Sequence, residues 1–296
     1  MKAIAYLLLP AFMWGLNFHL LKILLADVHF IEAGFWRYLF GAGALFICVR
    51  KAGLTWKGFV QNCSGILTVG VLGLFSFNVL LFWGMKFTSS MNASLIVSLS
   101  PLATLGLAYI FLGEKINSRQ AWGACFGMIG VLYLLAGGNL TAVKNIIFSK
   151  GDLLVLSAML LSASYHIWVN KYASKLPNGH FTLLTSLVCL VAFMIVSPFF
   201  TGFHAADYGK RFWIAAIVLG FAGTALTYAL WNKGVGEFGA GRAGVFMNMV
   251  PLSTAVTGMM FGIEIEGFHI ISGILILTGL LISQRRAGVA VPGKTG

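Results

Sequence analysis

The side chains best suited to chemistry form polar and aromatic faces at helical spacing inside segments that are otherwise apolar. Residues three, four and seven positions apart lie on one side of an α-helix. The clearest such face, in segment 211–233, comprises Gly220, Thr224, Thr227, Tyr228 and Trp231. A second face, in segment 151–171, comprises Ser162, Tyr165, His166 and Asn170. Hydroxyl, amide and aromatic groups of this kind predict recognition of a small molecule by hydrogen bonding and stacking.

Four further apolar segments carry polar or aromatic groups that extend this prediction. A buried amide or indole N–H needs a hydrogen-bond partner, which favours a shared cavity over isolated positions. The predicted substrate-binding residues are Trp14, Asn17, Asn78, Ser98, Tyr165, His166, Tyr228, Trp231 and Asn248. Helix packing is an alternative for the small and hydroxyl residues, Ser98 included. Pro101 and Pro251 each remove a mid-segment hydrogen bond, which predicts hinges.

Two basic residues, Lys22 and Arg37, lie inside the predicted apolar segments, and the others are assigned to the loops or the segment ends. Charges at membrane depth are costly, so each needs a compensating interaction. One interpretation is that they snorkel and pair with Asp27 and Glu32 between them. The other is that one cation faces the cavity and meets a carboxylate or phosphate of the substrate.

Two histidines, His19 and His166, also lie within apolar segments. A histidine there can tie two helices together by a hydrogen bond. It can also titrate near neutrality and couple transport to protons. The polar face shared with Tyr165 makes His166 the stronger candidate for that role.

Several kinds of machinery are missing from the sequence. No Asp or Glu lies in the middle of an apolar segment, which disfavours a carboxylate-driven proton antiporter. HExxH, GxSxG and Walker motifs are absent, and the four cysteines lack metal-ligand spacing. We therefore expect neither an enzyme nor a resident cofactor or metal.

The overall composition requires a membrane. Hydrophobic residues make up 59% of the 296 residues and charged residues 9%, against about 25% charged in soluble domains. Unpaired backbone groups are excluded from lipid, so long apolar segments must be helices. The prediction is an all-α membrane protein with ten transmembrane helices at 3–25, 32–50, 60–84, 91–113, 119–137, 151–171, 181–201, 211–233, 239–262 and 267–285.

The net charge of +12 is explained by topology rather than by nucleic acid. With the N-terminus inside, thirteen of the twenty basic residues fall on the inner side and five on the outer side. An excess of Lys and Arg marks the cytoplasmic side of a membrane protein. We expect an inner (plasma) membrane protein with both termini cytoplasmic, and its partners to be the bilayer and a small-molecule substrate.

The chain also resembles itself at a shift of 150 residues. Eleven identities join residues 70–130 to 220–280 without a gap, including Pro101 with Pro251 and Gly73 with Gly223. Two units follow, 1–145 and 146–296. Each holds five predicted helices, an odd number, so the second unit must be inverted in the membrane.

Four motifs of the sequence are characteristic: Trp14-Gly15-Leu16-Asn17-Phe18, Phe35-Trp36-Arg37-Tyr38, Ser100-Pro101-Leu102 through Glu114, and Val250-Pro251-Leu252 through Glu264. In these motifs the chain resembles the EamA family of the drug/metabolite transporter superfamily. The chain departs from the family pattern at Leu161, where an aromatic is common, and at Gly262-Ile263-Glu264. The resemblance implies a ten-helix carrier whose central cavity is lined mainly by helices 1, 3, 4, 6, 8 and 9.

These observations together predict a secondary transporter that works by alternating access. The expected cargo is a small polar or zwitterionic metabolite, with amino-acid export first. Two alternatives stay open: a carrier of choline-like quaternary amines, which aromatic walls suit, and a non-transporting or lipid-handling membrane subunit.

Overall fold

The protein is helical throughout the part of the chain that the structure describes. A computed structural model describes residues 2–50, 56–97, 99–113, 115–139, 141, 149–202, 207–262 and 266–284, and no strand occurs among them. In chain order the helices are α1 (Lys2–Asp27), α2 (Phe30–Val49), α3 (Trp56–Gln61), α4 (Cys63–Met85), α5 (Ser90–Val97), α6 (Ser100–Leu112), α7 (Ser118–Leu135), α8 (Lys150–Lys175), α9 (Asn178–Phe199), α10 (Lys210–Phe238), α11 (Ala240–Phe261) and α12 (Gly267–Gln284).

Seven of these helices are long and apolar enough to cross a membrane. They are α1, α2, α4, α8, α9, α10 and α11. The predicted span 91–113 is described as two shorter helices, α5 and α6, because the first ends at Val97 and the second begins at Ser100. The predicted spans 119–137 and 267–285 correspond to α7 and α12, each of 18 residues. The all-helical membrane architecture is confirmed, whereas ten spans stay a prediction.

Helices from the two ends of the chain interleave. The first helix, α1, packs along α10 and α11, while α2 packs on α9 and α10, and α4 packs on α8. The last helix, α12, pairs with α7. Helices distant in sequence therefore surround the centre, where side chains from both halves can meet.

Glycine lets several of these helices approach closely. A Cβ added to Gly151 of α8 would lie 2.7 Å from the carbonyl oxygen of Gly84 in α4, and one on Gly84 would lie 2.8 Å from the Gly151 oxygen. Real Cβ atoms do not approach a backbone oxygen so closely. Small residues at such a crossing allow van der Waals contact between backbones, which holds membrane helices together.

Replacing Gly151 with alanine should destabilise the protein by about 1–3 kcal/mol, because α4 and α8 must move apart. Gly106 provides the matched control, since a Cβ there meets nothing within 4 Å. Gly106→Ala should be neutral or stabilising, because alanine is the better helix former. Thermal unfolding of both variants in detergent measures the difference, and equal midpoints would show that the crossing tolerates a methyl group.

Two helices contain π-helical segments. Thr68–Ser76 is π-helical within α4, and Phe221–Leu226 is π-helical within α10. In the 150-residue alignment, Phe221–Leu226 corresponds to residues 71–76, so the two segments overlap in register. A 3₁₀ segment, Val245–Asn248, also interrupts α11 just before Pro251. π-Helical turns are rare and frequently lie at functional sites.

Candidate binding cavity

A cavity lies among α1, α2, α4, α5, α8, α10 and α11. Its lining residues are Trp14, Asn17, Phe18, Leu21, Arg37, Gly73, Phe77, Leu81, Val97, Ser162, Tyr165, His166, Tyr228, Met247 and Val250. Most of these are apolar or aromatic, with a few polar groups among them. That composition is typical of a small-molecule site.

Five of the predicted substrate-binding residues line this cavity. They are Trp14, Asn17, Tyr165, His166 and Tyr228. Arg37, one of the two predicted charge partners, lines it as well. No aspartate or glutamate is among the lining residues that the structure describes. The wall therefore carries one full positive charge and no negative one.

Arg37 is the electrostatic centre of the cavity. Its side chain is only 3% exposed, and its Nε donates a hydrogen bond to Thr224 Oγ1 at 2.8 Å. Nη1 donates to Asn78 Oδ1 and Nη2 to the Gly223 carbonyl oxygen, both at 3.1 Å. All of these partners are neutral, and a guanidinium has five N–H donors. Charge and hydrogen-bonding capacity thus remain for an anion.

The acidic residue near Arg37 in sequence is engaged elsewhere. Glu32 Oε1 accepts hydrogen bonds from Trp36 Nε1 at 3.0 Å and from Tyr208 Oη at 2.5 Å. The hydrogen bonds of Arg37 run instead to α4 and α10. Ion pairing with Glu32 is therefore not what compensates the Arg37 charge.

The π-helical segment of α10 supplies most of the partners of Arg37. Gly223 and Thr224 both lie within it. The Gly223 carbonyl also accepts from Asn17 Nδ2 at 3.2 Å, and Thr224 Oγ1 donates to the carbonyl of Leu219 five residues back. A Cβ on Gly223 would overlap the Asn17 amide. This glycine therefore allows the backbone of α10 to approach α1 and α2 closely.

Asn78 lies behind the cavity wall rather than on it. It is fully buried, and its Nδ2 donates to Tyr38 Oη at 2.9 Å and to the Leu74 carbonyl at 2.7 Å. Its Oδ1 is the acceptor for Arg37. All its hydrogen-bonding capacity goes to neighbours, so Asn78 orients the guanidinium instead of lining the cavity.

An aromatic layer closes one end of the cavity. The Trp14 ring lies 5.8 Å from Tyr228 and 4.8 Å from Trp231, measured between ring centroids. Trp231 also lies 5.1 Å from His166 and has no exposed surface. It does not line the cavity but supports the Trp14 side chain from behind. Within the described residues, no hydrogen-bond acceptor faces its indole Nε1.

The two histidines occupy different environments. His166 lines the cavity, and its Nδ1 lies 3.3 Å from Thr104 Oγ1. His19 is away from the cavity, stacked on Phe261, with Nε2 at 2.8 Å from the Thr254 carbonyl oxygen. Because a carbonyl only accepts, His19 Nε2 must carry the proton. His19 thus ties α1 to α11, and His166 alone of the two faces the cavity.

Lys22 also lies outside the cavity. Its Nζ donates to the carbonyl oxygens of Met85 and Thr88, each at 2.5 Å, where α4 ends. Thr88 in turn donates to Asp152 at the start of α8. Lys22 therefore links helix ends and does not meet a ligand in this arrangement.

The remaining predicted residues lie near the breaks in α5–α6 and α11. Asn248 ends the 3₁₀ segment and is buried against Gly127 of α7, with no partner for its amide among the described residues. Its neighbours Met247 and Val250 line the cavity in its place. Pro101 is the second residue of α6 and Pro251 follows the 3₁₀ segment, while Ser98 lies outside the described residues.

A buried polar chain that the sequence analysis missed leads away from Tyr165. Its hydroxyl donates to Asn232 Oδ1 at 2.5 Å, and Asn232 Nδ2 donates to Thr182 Oγ1 at 3.0 Å. Both partners are at most 2% exposed. Asn232 directly follows Trp231 and lies off the polar face of α10, which is why the helical spacing does not select it. The one signal in the sequence was its amide side chain in an apolar segment, since such a group needs a buried partner.

The geometry agrees with comparisons to known proteins. The model of the EamA-like transporter family matches residues 1–136 and again 149–284. An uncharacterized transporter, YyaM, of Bacillus subtilis (strain 168) is 29% identical over 91% of this chain and 89% of its own length. A probable amino-acid metabolite efflux pump of Salmonella typhimurium is 25% identical over 93% of this chain and 92% of its own.

Two further comparisons extend these. A probable terminal-alkyne amino-acid exporter of Streptantibioticus cattleyicolor is 21% identical over 96% of this chain and 94% of its own. A solved crystal structure superposes with a TM-score of 0.80 at 18% identity, covering 98% of this chain and 99% of the other, which shows a shared fold. Since the family match covers almost the whole chain, the protein is a transporter rather than an enzyme, and it belongs to the EamA-like transporter family.

Proposed function

We propose that this transporter exports an amino acid or a similar small zwitterion by alternating access. The observation that carries the proposal is Arg37, a buried cation whose hydrogen-bond partners in the described part of the chain are all neutral, on the wall of a largely aromatic cavity. A carboxylate is the substrate group that such a guanidinium binds best. The names of relatives that export amino acids support the same cargo.

The substrate would lie with its carboxylate against Arg37 and its apolar part among the aromatic rings. Asn17 lies beside Arg37, since both side chains donate to the Gly223 carbonyl. Trp14 and Tyr228 offer ring faces to a side chain, and their π faces also attract an ammonium group. This arrangement recognises a zwitterion without a buried acid.

Transport would follow from relative movement of two inverted units, 1–145 and 146–296, that enclose the cavity. Pro101 and Pro251 adjoin the interruptions in α5–α6 and α11, which suits a hinge role. His166 is the residue we assign to proton coupling, because it faces the cavity. The excess of basic residues at one set of helix ends supports cytoplasmic termini in the inner membrane.

Flux in proteoliposomes tests this proposal. Purified protein should give saturable amino-acid uptake that is stimulated by substrate on the opposite side. Trp14→Ala should raise the apparent KM about tenfold, because a stacking wall is lost. Trp122→Ala is the matched control, since Trp122 is 64% exposed on α7 and does not line the cavity.

Three outcomes would contradict the proposal. One is flux of choline without flux of any amino acid. Another is an unchanged KM in the folded Trp14→Ala protein. A third is flux unaffected by both Trp231→Ala and Asn248→Ala. That result would show that the residues buried behind the cavity wall do not support the transport site.

A further inference from the structure

A second, smaller pocket lies at the helix ends and shares no residue with the central cavity. Gln61, Asn62 and Ser64 line the second pocket where α3 meets α4, Tyr172 and Lys175 line it at the end of α8, and Phe181 of α9 lies behind them. The pocket therefore joins helices from both halves of the chain.

Two lysines lie near the ring of Tyr172, which lines this pocket. Lys171 Nζ lies 5.4 Å and Lys175 Nζ 5.5 Å from the centroid of the same ring, that of Tyr172. The ring itself packs on Gly65, where a Cβ would come within 2.8 Å of it. Lys175 lines the pocket, and Lys171 approaches the same docked aromatic ring. No acidic residue is among the described residues that line the pocket.

The surrounding face adds to the positive charge that Lys171 and Lys175 give the pocket. In the topology predicted from the sequence, this side carries thirteen of the twenty basic residues but only two of the eight acidic residues, Glu114 and Glu237. The opposite side of that topology carries five basic residues and the six other acidic residues, Asp27, Glu32, Asp152, Asp207, Glu264 and Glu266. An anionic ligand is therefore favoured on the pocket's side alone.

The surface next to the pocket changes from polar to apolar within one helical turn. Ser64 is exposed at the pocket, and Leu67, three residues further along the same face of α4, is 45% exposed. Leu72 is 46% exposed deeper along α4. A phospholipid has the same sequence of groups, with a charged phosphate followed by acyl chains. A soluble anion would gain nothing from this apolar surface.

We propose that this pocket binds the phosphate group of an anionic phospholipid from the adjacent leaflet. Lys171 and Lys175 pair with the phosphate, while the Gln61 amide and the Ser64 hydroxyl supply hydrogen bonds. Basic pockets between membrane helices are known to hold such headgroups. Because α4 and α8 also wall the central cavity, a bound lipid would hold these two helices together at this end.

Native mass spectrometry of the full-length protein with phosphatidylglycerol, phosphatidylcholine or inorganic phosphate tests the site. Phosphatidylglycerol should bind more tightly than phosphatidylcholine. The double variant Lys171→Gln/Lys175→Gln should lose at least about fivefold in phosphatidylglycerol affinity, since each lysine near an anionic surface contributes a similar factor. The matched control Lys86→Gln/Lys150→Gln, at the opposite helix ends, should keep the parent affinity.

The readout depends on lipid binding and not on transport, so failed transport assays would leave this test intact. Equal binding of the two lipids, or unchanged phosphatidylglycerol affinity in the folded Lys171→Gln/Lys175→Gln protein, would overturn the proposal. Inorganic phosphate that binds with the same affinity as phosphatidylglycerol, and is lost in the same variant, would replace the lipid by a soluble phosphate compound. Thermal unfolding of each variant establishes that it is folded.

Discussion

Replacing Arg37 with methionine should lower the apparent affinity for a carboxylate substrate by about 10- to 100-fold. A hydrogen bond to a charged group contributes about 1.5–3 kcal/mol, which is that range of affinity. The informative measurement is a ratio: flux of the best amino-acid substrate divided by flux of its carboxamide. The ratio should be large in the parent protein and close to one in the variant, because only the carboxylate gains from the guanidinium.

Lys22→Met is the control for this experiment. Lys22 is the other cation within a predicted membrane segment, but its ammonium group donates to the carbonyls of Met85 and Thr88. Its loss should leave the carboxylate-to-carboxamide ratio unchanged, although it should lower stability. A folded Arg37→Met protein that keeps the parent ratio would remove Arg37 from substrate recognition.

Trp231→Ala should cost about 3–5 kcal/mol of stability, the largest loss we expect from a single substitution. The indole has no exposed surface and supports both Trp14 and His166. Removing a buried aromatic side chain forfeits its packing and leaves a void. Reversible unfolding in mixed micelles would measure the change.

Trp231→Phe separates the ring from its N–H. Because Nε1 lacks an acceptor among the described residues, phenylalanine removes an unsatisfied donor while keeping most of the ring contacts. We expect it to cost about 1 kcal/mol or less. If the phenylalanine variant were as unstable as the alanine variant, a hydrogen bond of Nε1 would be responsible, and the packing explanation would be wrong.

The amino-acid sequence predicts the class of this fold because lipid imposes simple rules on it. Apolar segments of about 20 residues without charges must be helices, and α1, α2 and α8 to α11 lie close to their predicted bounds. The turn at Leu99 within the predicted span 91–113 was not predicted. Hydropathy averages over a window and is insensitive to a local turn.

The sequence predicts which types of residue form the candidate site. It does not predict which of them line the cavity and which lie behind its wall. The polar faces identified Trp14, Asn17 and Tyr228, because helical spacing alone decides which side chains share a face. Arg37 was ambiguous from sequence, since its partners Gly223 and Thr224 lie 186 and 187 positions away. Long-range contacts of this kind leave no local pattern.

Asn248 shows where helical spacing alone is insufficient to predict which residues line the cavity. Its α11 segment is 3₁₀-helical at this point, and the tighter winding rotates side chains away from the positions that an α-helical wheel assigns. Met247 and Val250 consequently face the cavity. The periodicity argument assumed a uniform helix, and a helix that changes its winding breaks that assumption.

The π-helical segment of α10 has a consequence for how the site could rearrange. A π turn accommodates an additional residue relative to an α turn, and each residue of an α-helix advances the direction of side chains by about 100°. If Phe221–Leu226 rewound as α-helix, the rest of α10 would rotate by about that angle relative to Lys210–Gly220. Tyr228 and Trp231 would then rotate together about the helix axis, while Lys210–Gly220 stayed in place. A local change of winding, without bending of any helix, would thus replace the surface that faces Arg37.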